Sequence, residues 1–128
     1  MKTAAAAICS VMFALFSTLA LSAEVPFDQA QFDAARAAGK PVAVVFHADW
    51  CPTCRAQAPV LKELAQTAQL KSVTLYIANF DTEKTLKKSL GVTKQSTIVI
   101  FKNGQEVARS TGDTQRDSLA ALLSRAVS

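Results

Sequence analysis

Two cysteines separated by two residues, in the run Trp50-Cys51-Pro52-Thr53-Cys54, follow directly on the apolar stretch Pro41-Val42-Ala43-Val44-Val45-Phe46. Where a buried strand gives way to a helix, the first cysteine faces unpaired backbone N–H groups and the positive end of the helix dipole. Both lower the pKa of its thiol and populate the thiolate, the attacking species in disulfide exchange. The pair therefore points to redox chemistry. Two other uses of the same sulfurs compete with it. A structural bridge across two intervening residues closes too small a loop to constrain much of the unfolded chain. A soft-metal site, best suited to copper(I), would need ligands beyond two thiolates, from His47 or from a partner.

The segment before this unit reads as a processing signal. Lys2 is a charged start, Ala4 to Leu21 is apolar, and Leu21-Ser22-Ala23 offers a small residue before a cut, so residues 1–23 are expected to be a secretory signal peptide. A retained membrane anchor is the competing reading, since the apolar stretch is close to the roughly 18 residues a span can use. Cys9 would leave with the signal, so residues 24–128 retain only Cys51 and Cys54. The chain has 14 Lys and Arg against 10 Asp and Glu, and loss of Lys2 leaves a charge of about +3 spread along the sequence. That gives no warrant for binding nucleic acid or a membrane surface.

The remaining residues suffice for one small domain, and they contain no repeat, low-complexity tract or linker. Phe27 to Ala38 reads as a helix ending at Gly39, and residues 41–47 as a strand covered on both faces. Pro52 to Leu70 reads as a long helix with Val60, Leu61, Leu64, Ala65 and Ala68 at core spacing. Val73 to Asn79 is a second strand and Thr82 to Leu90 a short helix. Thr97 to Phe101 and Glu106 to Ser110 form a hairpin through Lys102-Asn103-Gly104, whose Asn-Gly suits positive φ. A last helix begins at Thr114, with Asp117 completing a capping box, and buries Leu119, Leu122, Leu123 and Ala126. The order α-β-α-β-α-β-β-α predicts an α/β fold with a central four-stranded mixed sheet flanked by helices, and the cysteines at the carboxyl end of its first strand.

Several further features sit where they do in a known group of proteins. These are Phe46-His47-Ala48-Asp49-Trp50-Cys51-Pro52-Thr53-Cys54-Arg55, Pro59 in the following helix, Asn79-Phe80-Asp81, Leu90-Gly91-Val92 and Thr97-Ile98-Val99-Ile100-Phe101-Lys102-Asn103-Gly104. Over residues 27–127 the chain resembles the thioredoxin superfamily. The Gly39-Lys40-Pro41 lead-in and the Ala48-Asp49-Trp50-Cys51 approach are similar to exported members that work with the membrane reductase DsbD. The resemblance assigns Cys51 as the nucleophile and Cys54 as the resolving thiol. Helix geometry agrees, with Cys51 exposed at the helix start and Cys54 one turn inside. Pro52 has φ preset for a first helical turn. Thr53 adds a hydroxyl near the sulfurs or a polar group on an exposed turn. Trp50 either flanks the cysteines on a partner-binding surface or belongs to the core.

Three departures from the family pattern stand out. Ser96 replaces the usual cis-proline. A cis bond before a non-proline residue costs about 3 kcal/mol, so a trans bond and a differently shaped Lys94-Gln95-Ser96 loop are expected opposite the cysteines. The family's buried Asp and Lys fall at Val45 and Ile77, which removes the usual proton acceptor. His47, the only histidine, lies on the same strand face as Val45 and is a candidate to exchange protons with the pair, or a half-exposed packing residue. Asp49 and Glu63 are further acidic candidates or solvated charges, Arg55 is a source of positive potential near the pair or a cover for the helix surface, and Lys84, Lys87, Lys88 and Lys94 cluster near the third helix as a solvated face or an attraction for an acidic partner. The expected function is periplasmic thiol–disulfide exchange with protein disulfides, as a reductant or electron carrier, through Cys51 and Cys54 and without an organic cofactor.

Overall fold

The computed structural model describes residues 24–128. The signal segment expected over residues 1–23, with Lys2 and Cys9, lies outside the described residues. The elements run β1 (Glu24–Pro26), α1 (Gln29–Ala37), β2 (Val42–His47), α2 (Pro52–Leu64), β3 (Thr74–Asn79), α3 (Lys84–Leu90), β4 (Thr97–Lys102), β5 (Gln105–Thr111) and α4 (Arg116–Ser124).

The mixed sheet has the order β1-β3-β2-β4-β5. β1, β3 and β2 run parallel, and β4 and β5 continue antiparallel. It thus has five strands where the sequence predicts four. The additional one is a three-residue edge strand ending at Pro26. Its length leaves no periodicity to read, and proline is tolerated at an edge because it has no ladder N–H to offer.

β2 lies centrally and alternates between two cores. Val42, Val44 and Phe46 face the layer that holds Phe32 of α1 and Leu86 of α3. Ala43 and Val45 face the layer built from Leu61 and Leu64 of α2 and Leu119 and Leu123 of α4. This double burial is what the near-continuous apolar run predicts. The Phe32 ring lies 5.6, 5.9 and 5.3 Å from those of Phe27, Tyr76 and Phe101, and it anchors α1 to the sheet.

Several boundaries differ from expectation for local reasons. α1 begins at Gln29 because Asp28 caps it, accepting the Gln31 N–H at 2.9 Å. α2 ends at Leu64, and turns at Gln66, Thr67 and Leu70 follow. Ala68 is exposed and takes no part in the core. α3 starts two residues later than predicted, with no side-chain cap at Glu83. The capping box expected at Thr114 and Asp117 does not form. Asp113 organises the turn instead, accepting from the Gln115 N–H at 3.0 Å and from the Ser118 hydroxyl. The Asn103-Gly104 turn has φ of 52° and 78° between paired Lys102 and Gln105, the two-residue geometry read from the sequence.

Replacing Phe32 by Ala should lower stability by about 3–5 kcal/mol in urea denaturation, because it removes the shared member of this aromatic cluster. The exposed neighbour Gln31→Ala should change it by less than about 0.5 kcal/mol.

Candidate active site

The chain leaves β2 at His47, turns through Ala48-Asp49-Trp50, and enters α2 at Pro52. Cys51 is the N-cap residue of α2, with extended backbone at φ −87° and ψ 115°. Its Sγ accepts the Cys54 N–H at 3.2 Å, the bond a serine or aspartate makes at a helix start. Pro52 follows at the position where a missing N–H leaves no intrahelical bond unmade. Both thiols are free.

Cys51 is 2 % exposed and Cys54 1 %. The expectation of an exposed Cys51 is therefore corrected. The loop before β4 places Ser96 against both sulfurs, with Ser96 Oγ 3.4 Å from Cys51 Sγ and 2.9 Å from Cys54 Sγ. The cover over Cys51 is thin, whereas more protein surrounds Cys54.

The two thiols diverge in acidity. Burial pushes the Cys51 thiol up, but hydrogen bonds from the Cys54 side chain, the Ser96 hydroxyl, and the Cys54 and Thr53 backbone outweigh it and bring the pKa from 9.0 to about 7. Burial is also the main influence on Cys54, and together with the neighbouring Cys51 it raises that thiol. One sulfur is thus poised as thiolate near neutrality while the other holds its proton. Thr53 acts on the pair through its backbone.

Ser96 sits where the family's cis-proline was expected, and the peptide bond before it is trans. Its φ is +61°, a left-handed conformation that costs a non-glycine residue roughly 1–2 kcal/mol. Four bonds hold the loop there. Ser96 N–H donates to Phe46 O at 2.9 Å, and Ser96 O accepts from Gly112 N–H at 3.1 Å and Gln57 Nε2 at 3.3 Å. The Thr97 hydroxyl donates to Lys94 O at 2.8 Å. Gln95 is half-buried beside Ser96.

Gln57 is the residue that sequence reasoning misses. It is buried on α2, and its amide also donates to Asp113 O at 2.8 Å. The signal was present: Gln57, Leu61 and Leu64 recur at i, i+4 and i+7, so a polar residue stands on the buried stripe.

The remaining candidates are placed around the pair. The His47 ring hydrogen-bonds Asp49 at 2.9 Å, not a sulfur. Trp50 is 58 % exposed, which excludes the core reading, and its Nε1 donates to Asp81 Oδ2 at 2.8 Å. His47, Asp49, Trp50 and Asp81 border a recess of about 270 Å³ that Ala48, Ile77, Ala78 and Asn79 complete, and neither sulfur lines it. Glu63 pairs with Arg116 at 3.1 Å, and Lys87 lies over the Phe80 ring. Arg55, Lys84, Lys88 and Lys94 are exposed. Val45 is buried and Ile77 half-buried, so neither supplies a charge beneath the sulfurs. Among the described residues no three His, Cys, Asp or Glu side chains converge as metal ligands.

The thioredoxin family pattern matches residues 23–125. The chain belongs to the thioredoxin family. It is 35 % identical over 101 residues to a thioredoxin of Alicyclobacillus acidocaldarius, covering 79 % of this chain and 95 % of that one. It is 39 % identical over 84 residues to a thioredoxin of Chlamydia muridarum, covering 66 % and 80 %. Among solved structures, Trxlp from Edwardsiella tarda superposes with a TM-score of 0.75 at 39 % identity, covering 78 % of this chain and 96 % of that one. Malassezia sympodialis thioredoxin gives 0.72 at 26 % identity, covering 82 % and 93 %. This thioredoxin-type disulfide oxidoreductase carries Cys51 and Cys54 as its cysteine pair.

Alkylation of the reduced protein should follow a single ionisation with a midpoint near pH 7 for Cys51, with Cys54 reacting only above the pH range of an ordinary thiol. The Cys51 pKa is lower in the folded than in the unfolded chain. Its contribution to the stability of the reduced protein is therefore complete above pH 9 and is lost as pH falls through about 7. Mass spectrometry of the alkylated cysteines and denaturation between pH 6 and 9 check both statements.

Proposed function

We propose that this thioredoxin-family protein is exported to the periplasm and works there as a reductant of protein disulfides, itself kept reduced by a membrane thiol reductase of the DsbD type. The observation that carries the direction is the set of groups on Cys51. Neutral donors, the Cys54 thiol, the Ser96 hydroxyl and the Cys54 and Thr53 backbone, stabilise its thiolate, and among the described residues no Lys, Arg or His contributes to that stabilisation. A strongly oxidising pair needs a heavily stabilised thiolate, because that stabilisation favours the reduced form. Moderate stabilisation leaves the dithiol a willing electron donor. Support for export comes from the Lys2, apolar and Leu21-Ser22-Ala23 pattern of the sequence.

The exposed Trp50 edge and the recess beside it are the surface on which a partner disulfide would be presented. Attack by Cys51 forms a mixed disulfide with the partner, and attack by Cys54 on Cys51 Sγ releases the partner's second sulfur in reduced form. The product is the Cys51–Cys54 disulfide, which the membrane reductase returns to the dithiol.

The equilibrium potential against glutathione should lie nearer the roughly −270 mV of thioredoxin-type donors than the roughly −120 mV of strong oxidants. A value at the oxidising end would sink the reductant reading. Insulin reduction should vanish in Cys51→Ala. In cells, the protein should fractionate with the periplasm in shortened form, and loss of the membrane reductase should leave its pair oxidised under acid-trapping.

A further inference from the structure

The second half of the exchange cycle requires Cys54, the thiol with the raised pKa, to lose its proton at the moment it attacks. Among the described residues no acid is buried to do this, and positions 45 and 77 are Val and Ile. The charged groups nearby are otherwise engaged or exposed: His47 bonds Asp49, Asp81 accepts from Trp50, Glu63 pairs with Arg116, and Arg55 and Lys94 are exposed. Glu24 borders a small recess with Val45, His47 and Gln57, and neither sulfur lines it. Among the described residues, the one side chain that hydrogen-bonds both sulfurs is Ser96.

Donor and acceptor roles follow from charge. A Cys51 thiolate can only accept, so in the reduced protein the single Ser96 proton points to Cys51 and an oxygen lone pair faces Cys54. The Cys54 proton then has two acceptors, the thiolate and Ser96 Oγ. When Cys51 is tied up in a mixed disulfide its sulfur loses its charge and becomes a poor acceptor. Ser96 Oγ, 2.9 Å from Cys54 Sγ, is left as the partner of that proton.

We propose that Ser96 is a catalytic proton relay for the resolving step, taking the proton of Cys54 as that sulfur attacks and passing its own hydroxyl proton to the departing sulfur of the partner. The bond between Cys51 Sγ and the partner sulfur breaks, and the Cys54–Cys51 bond forms. The electron pair of the broken bond leaves with the partner sulfur, which is reduced as Cys51 and Cys54 become a disulfide. One proton leaves Cys54 and one reaches the partner thiol, with Ser96 unchanged at the end, so no further reactant is required. The strained φ of Ser96 has a use in this scheme. The bonds to Phe46, Gly112 and Gln57 fix the backbone in the rotation that aims the hydroxyl between the sulfurs.

This inference rests on the disulfide-exchange reading, and the two are separated by experiment. Reduced protein is mixed with oxidised glutathione in a stopped-flow instrument, and the fluorescence of Trp50, the only tryptophan, follows formation and decay of the mixed disulfide. Ser96→Gly removes the hydroxyl and tolerates positive φ, so the backbone is retained. It should slow the decay phase on the order of 100-fold at pH 7 and move the pH at which decay is half-maximal upward. The attack by Cys51 should slow far less. In the unaltered protein, the decay rate plotted against the deuterium fraction of the solvent should curve, because two protons move together. A straight plot, or a Ser96→Gly decay phase with unchanged rate and pH profile, would overturn the relay while leaving the exchange reading intact. Unaltered protein that leaves glutathione and insulin disulfides unreduced overturns both.

Discussion

The site depends on one capping interaction, the acceptance of the Cys54 N–H by Cys51 Sγ at the start of α2. A sulfur at an N-cap joins the folding of the helix to its own ionisation, because the charge that makes it a nucleophile also makes it a better cap. The rest of the fold serves to hold that junction. β2 is buried on both faces and cannot shift register, so the turn after it delivers Cys51 to one place. The α2 stripe of Leu61 and Leu64 locks the helix onto the sheet below.

The second constraint arrives from the neighbouring strand, β4. The Ser96 loop belongs to the antiparallel β4–β5 half, yet its N–H closes onto Phe46 at the end of β2. This bond brings a residue 45 positions away in sequence into contact with the first sulfur. A proline at position 96 would offer neither that N–H nor the hydroxyl. The exchange of proline for serine thus alters the chemistry beside the sulfurs more than it alters the architecture.

Much of this was legible in the sequence, and the reasons differ by element. The apolar run 42–46, the Asn103-Gly104 turn and the pair of cysteines at a strand-to-helix junction are local signals with single physical meanings. The helix ends at 28, 64 and 116 were less so, because caps compete over one or two residues. Asp113 and Thr114 are both good N-terminal residues, and the Gln115 N–H and Ser118 hydroxyl go to Asp113. β1 escaped because three residues cannot display a period. The covering of Cys51 and the role of Ser96 were illegible for another reason. Both depend on φ at one loop residue, and serine gives no hint that it will adopt +61°. Gln57 could have been found, since an amide on an apolar helix stripe demands partners.

Those partners of Gln57 tie together two stretches of chain that sequence keeps apart. Its amide nitrogen spans the carbonyls of Ser96 and Asp113, one at the entrance to β4 and the other at the entrance to α4. Neither loop can swing away alone without stranding an N–H donor in a dry interior. The rim over the sulfurs is therefore a single mechanical piece braced from α2. A protein that presses on the Asp113 turn would be felt at Ser96 through one side chain acting as a strut.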